Sequence, residues 1–157
     1  MQIKLNKGKD KPDTLVCVRA DGTSTIARLN IPTMHDLIHY AVETTLGLRE
    51  SFYGLVERGI SIQHFNSPGI AISLPDEAIH TEHLVNLLTM EMSNGKAYED
   101  LKAELARVCK GSGRNPLPAP GRDFLTPGNV ETIRAEIGRL LYEWRAIPPG
   151  ETMTLEF

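Results

Sequence analysis

Thr14-Leu15-Val16-Cys17-Val18-Arg19-Ala20-Asp21-Gly22-Thr23-Ser24-Thr25-Ile26-Ala27-Arg28-Leu29 carries two runs rich in β-branched residues on either side of an Asp-Gly pair. A type I′ turn needs positive φ at both central positions, which Asp-Gly tolerates, so this segment is expected to be a β-hairpin. A two-residue turn on Asp21-Gly22 sets Cys17 opposite Ile26 and Val18 opposite Thr25. Neither face of the hairpin is cleanly polar, and partial cover on both sides is expected.

Both ends of the chain extend the same sheet. Met1, Ile3 and Leu5 alternate with Gln2 and Lys4, a half-buried strand followed by a polar loop, Asn6 to Asp13. Met153, Leu155 and Phe157 alternate with Thr152, Thr154 and Glu156. This terminal strand is expected beside Met1–Leu5 or the hairpin, because its apolar face needs the same core.

The intervening residues read as helices. Pro32-Thr33 opens the first, with Thr33 as cap and Asp36 reaching back in a capping-box arrangement, and Gly47 ends it. A short helix is expected over Leu48–Arg58, where Gly54 would be compensated by close helix–helix approach. Ser73-Leu74-Pro75-Asp76 reads as the start of a helix that is apolar almost all round and ends at Asn94-Gly95. The next runs from Lys96 to about Lys110. The last starts at Thr126-Pro127 and buries Val130, Ile133, Ile137, Leu140, Leu141 and Trp144. The expected class is therefore α+β: a small, mainly antiparallel sheet of N-terminal strands plus the C-terminal strand, packed against about four helices. One domain over residues 1–157 is expected, with a Pro/Gly-rich loop at 111–128.

Composition narrows the setting. The 157 residues are 41% hydrophobic and 24% charged, with no apolar run long enough for a membrane span and no signal-peptide pattern at the start. A cytoplasmic protein is expected, with Cys17 and Cys109 as buried thiols. The net charge of −3 argues against a nucleic-acid surface. Lysines 4, 7, 9 and 11, and the later Lys110, Arg114 and Arg122, read as solvated loop charges.

The most pointed chemistry lies on the first helix. His35, His39 and Glu43 recur every four residues and stand in file, so two imidazoles can close on one metal with Glu43 as third ligand or as a partner orienting a histidine. The file starts at the edge of the apolar face, with His39 and Glu43 expected to turn progressively toward solvent. His80 and His83 form a second pair, and packing of the two helices could bring four imidazoles around zinc or another divalent transition metal, with Glu43 or Glu82 replacing one. In a catalytic version Asp36 or Glu43 would be the base for a metal-bound water. No Gly-x-Ser-x-Gly, Walker or Gly-x-Gly-x-x-Gly pattern accompanies these residues.

Two functions follow as expectations. The first is a small-molecule or protein-binding domain without catalysis, whose strand edges can join a second copy in a homodimer. The second is a metal-dependent hydrolase at His35, His39 and Glu43, which requires the two histidines to open into a cleft.

Overall fold

A computed structural model describes residues 1–66, 73–111 and 124–157. Four strands, β1 (Gln2–Asn6), β2 (Thr14–Val18), β3 (Ser24–Arg28) and β4 (Thr152–Glu156), form one antiparallel sheet in the order β3-β2-β1-β4. The helices are α1 (Met34–Leu46), α2 (Phe52–Glu57), α3 (Asp76–Asn94), α4 (Leu101–Gly111) and α5 (Pro127–Ala146), with a 3-10 turn at Ile62–Asn66. The class is α+β. The C-terminal strand lies against β1, with Ile3 opposite Leu155 and Leu5 opposite Met153.

Strand alternation sends Ile3, Leu5, Leu15, Cys17, Met153 and Leu155 to one face, where they join a single apolar cluster with the helices. Helix α1 is the central helix, packed against both α3 and α5. Helix α5 begins as expected, with the Thr126 side chain accepting the Asn129 N–H at 3.2 Å, and buries Ile133, Ile137, Leu140, Leu141 and Trp144. Val130 is only half-buried. Cys17 and Cys109 are buried and are not joined in a disulfide.

The hairpin register differs from expectation by one residue. Cys17 stands opposite Thr25, and Val16 opposite Ile26. Arg19 and Thr23 close a three-residue loop: the Arg19 N–H donates to Thr23 O at 2.8 Å and the Gly22 N–H to Arg19 O at 3.0 Å. Only Gly22 has positive φ (+83°); Asp21 instead accepts the Thr23 N–H and hydroxyl. This is a turn followed by a left-handed glycine, and its extra residue slips the pairing by one. Thr25 thereby faces inward and is buried, while Ile26 is 55% exposed. The buried Thr25 hydroxyl accepts the Ile62 N–H at 3.1 Å and donates to Gln63 Oε1, which fixes the 3-10 turn against the edge of β3.

Four helix starts differ from expectation, α1 in its cap and α2, α3 and α4 in position. Thr33 does not cap α1 with its side chain but donates to Asp13, and no capping box forms with Asp36. Helix α2 starts at Phe52 rather than Leu48. The approach at Gly54 is to the preceding turn rather than to another helix, because a Cβ there would stand 2.4 Å from Arg49 O. Helix α3 starts after Pro75, whose ψ of 150° is not helical, and Ser73 is not its cap. Its first-turn Glu77 instead accepts the N–H groups of Arg49 and Glu50. Helix α4 starts at Leu101, where Asp100 accepts the Ala103 N–H. Residues 96–100 are held apart from the helix by the Tyr98 N–H, which donates to buried Glu91, itself clamped by Arg134. The Pro/Gly-rich loop lies outside the described residues except at its ends, Gly111 and Phe124–Gly128.

Candidate metal centre and ligand cavity

Helix α1 presents His35, Asp36, His39 and Glu43 toward α2 and α3. His39 and Glu43 do not turn to solvent: His39 is 4% exposed and Glu43 wholly buried. The reason is α2, which packs across this end of α1 and brings its unpaired N-terminal N–H groups with it. Glu43 Oε2 accepts the Tyr53 N–H at 2.9 Å and the Gly54 N–H at 3.3 Å, so a carboxylate from α1 caps α2. Its other oxygen lies 3.1 Å from His39 Nδ1. Burial pushes the Glu43 carboxyl above the usual carboxylate range, and the His39 bond opposes that shift.

The third group at the histidines comes from α3. Glu82 Oε2 lies 3.1 Å from His39 Nε2, and Glu82 Oε1 lies 3.3 Å from His35 Nε2. One ligand atom each from His35, His39 and Glu82 falls within 4.8 Å of the others. Burial alone would lower the affinity of His39 for a proton, but the hydrogen bonds and charges of Glu43 and Glu82 outweigh it and lift the pKa to about 10. Burial would raise Glu82, yet the two imidazoles hold it far below the usual carboxylate range. Asn86 further positions Glu82 by donating to Oε1 at 3.1 Å.

The expected four-histidine cluster does not assemble. Successive residues on a helix point about 100° apart, so His80 and Glu82 cannot share a face of α3. His80 lines a separate cavity of about 80 Å³ with Leu46, Leu84 and Leu105. His83 borders the same space as His35 and His39 but is outside the group of converging ligand atoms. Glu43 occupies the position of an orienting partner on His39 Nδ1. Glu82, which sequence reasoning offered only as a substitute, takes the third position.

His35, His39 and Glu82 stand on the wall of a cavity of about 490 Å³ between β3, α1, α2, the 3-10 turn and α3. From the histidines an aromatic series runs along it. The His35 and His39 ring centroids are 4.9 Å apart, those of His39 and Phe52 5.3 Å, and those of Phe52 and Phe65 4.9 Å. Leu29, Ile62 and Ile79 add aliphatic surface. Asp36 lies on the same wall, 6% exposed, and its Oδ2 has no hydrogen-bond partner among the described residues. Burial raises its carboxyl above the ordinary range, while the nearby His39 and His35 pull it down. The Phe52–Phe65 wall was not read as a site from sequence, since nothing in the spacing of two aromatic residues tells a cavity wall from core.

This geometry stands without a precedent to interpret it: no protein-family model, curated protein or solved structure matches the chain.

Proposed function

We propose that this protein is a ligand-binding domain whose cavity carries a divalent transition metal on His35, His39 and Glu82. The observation that carries the reading is the convergence of these three side chains on the wall of the 490 Å³ cavity. Metal–ligand bonds of about 2.1 Å place neighbouring donors roughly 3.4 Å apart in a tetrahedral site. The 3.1 and 3.3 Å separations between Glu82 and the two imidazoles are close to that spacing. An imidazole that gives its Nδ1–H to a carboxylate keeps Nε2 for a metal, and Glu43 is placed to accept that proton from His39. Two imidazoles and one carboxylate suit zinc or iron, and leave coordination positions for a small molecule. The proposed setting is the cytoplasm, where Cys17 and Cys109 remain reduced. Among the described residues no helix is long and apolar enough to cross a membrane.

Metal-dependent hydrolysis is the second reading, favoured by the same open coordination: a water on the metal would be acidified and facing the cavity. The distinction between the two is turnover of simple esters or amides by the metal-loaded protein.

Elemental analysis of the full chain after incubation with zinc tests the site. About one zinc per chain is expected, lost in His35→Ala/His39→Ala and weakened in Glu82→Gln. Wild-type protein that retains no zinc overturns the proposal.

A further inference from the structure

The cavity carries aromatic surface directly beside the proposed metal group. Phe52 and Phe65 both line it, and each is only half-buried. The Phe52 ring centre is 5.3 Å from that of His39, and the Phe65 ring centre is 4.9 Å from that of Phe52. The apolar surface therefore begins in contact with a ligating imidazole and continues outward for two rings. The rings do not stack: His39 and Phe52 are inclined by 47°, Phe52 and Phe65 by 59°. Rings set at such angles offer a face and an edge together, the two approaches by which a further aromatic ring packs.

We propose that the cavity takes a planar aromatic molecule with one uncharged nitrogen donor, the nitrogen completing the metal site and the ring lying against Phe52 and Phe65. The inference rests on the metal reading above and specifies its ligand. Charge selects the donor. A divalent ion on His35, His39 and Glu82 is half neutralised by Glu82. Glu43 supplies the second negative charge, because its carboxylate accepts from His39 Nδ1 and from the Tyr53 and Gly54 N–H groups, and such bonds favour the ionised form. An anionic donor would add an unbalanced charge to a space otherwise walled by Leu29, Ile62 and Ile79, where such a charge is costly. An uncharged nitrogen leaves the balance intact, and its apolar ring suits the rest of the wall.

The test titrates zinc-loaded full-length protein with imidazole, 4-phenylimidazole and benzoate, followed by calorimetry. The phenyl ring is expected to strengthen binding about tenfold or more over imidazole, as for burial of one aromatic ring. Benzoate, which keeps the ring but brings a charged donor, should bind more weakly than 4-phenylimidazole. In Phe65→Ala the gain from the phenyl ring should fall to within about threefold, with zinc content and imidazole affinity unchanged. No gain from the phenyl ring in wild type overturns the proposal, and so does benzoate that binds as tightly. A gain that survives in both Phe52→Ala and Phe65→Ala puts the ring elsewhere and overturns it too, as does equal binding of 4-phenylimidazole to metal-free protein. Should either variant fail to fold, nuclear Overhauser contacts on wild type decide. Contacts between the phenyl protons of the bound compound and the rings of Phe52 and Phe65 support the placement, and their absence overturns it. Zinc content separates this inference from the reading beneath it. Failure to bind zinc overturns both, whereas bound zinc with no preference for 4-phenylimidazole overturns this inference alone.

Discussion

His39 is wedged between Glu43 on Nδ1 and Glu82 on Nε2 and is shielded from water, so its charge state is coupled to the fold. Its pKa in the folded protein, about 10, lies above the ordinary 6.5 of an unfolded chain. The stabilisation this provides is complete below pH 6.5 and is lost as pH rises through 10, with a slope of at most about 1.4 kcal/mol per pH unit. Denaturation of metal-free protein between pH 7 and 10 should show this decline, and His39→Gln should remove it. Glu43 gives a second prediction at this scale. Its loss strands the Tyr53 and Gly54 N–H groups as well as the imidazole. Glu43→Ala should cost about 3 kcal/mol in urea denaturation, and Glu43→Gln clearly less, since the amide oxygen can still cap α2.

At the scale of elements, the connections are held by side chains that cross between them. Lys7, at the exit of β1, donates from Nζ to the carbonyls of Trp144 and Ile147 at 2.8 Å each, and lies 4.9 Å from the centre of the Trp144 ring. A lysine read as a solvated loop charge thus closes the C-terminus of α5, where a cation is favoured. Lys7→Met should destabilise the protein by about 1–2 kcal/mol, measured by equilibrium denaturation with zinc binding unchanged. The hairpin makes its own prediction. Gly22→Ala forces a Cβ into the left-handed region at φ +83° and should cost about 1 kcal/mol. The absence of any such cost would count against the three-residue turn and hence the register that buries Thr25.

Across the whole molecule, the cavity draws its walls from the N-terminal halves of α1 and α3, from α2 and the 3-10 turn, and from the sheet edge, so occupying the proposed metal site should tie these parts together. Zinc at about a hundred times its dissociation constant adds about 2.7 kcal/mol. For a chain of this size the melting temperature should rise by roughly 5–10 °C in wild type and not in His35→Ala/His39→Ala. Much of the architecture was legible beforehand, because alternation and helical stripes are local. The strand at Met153–Phe157, the run from Ile133 to Trp144, and Gly47 as the left-handed end of α1 are readable within a few residues. The capping of α2 and α4 was not, because one cap is Glu43 from another helix and the other is Asp100 within a segment that itself looked helical. The candidate site divides in the same way. The sequence by itself determined that His35, Asp36, His39 and Glu43 stand on neighbouring turns of one helix, since the helical period is a property of the backbone. Only the tertiary structure decided that Glu43 turns inward to cap α2, that Glu82 completes the group while His80 faces a different cavity, and that Asp36 Oδ2 is buried without a hydrogen-bond partner among the described residues. Those outcomes depend on how α3 is rotated against α1, and that rotation is set by the packing of their apolar faces rather than by the spacing of residues along either helix.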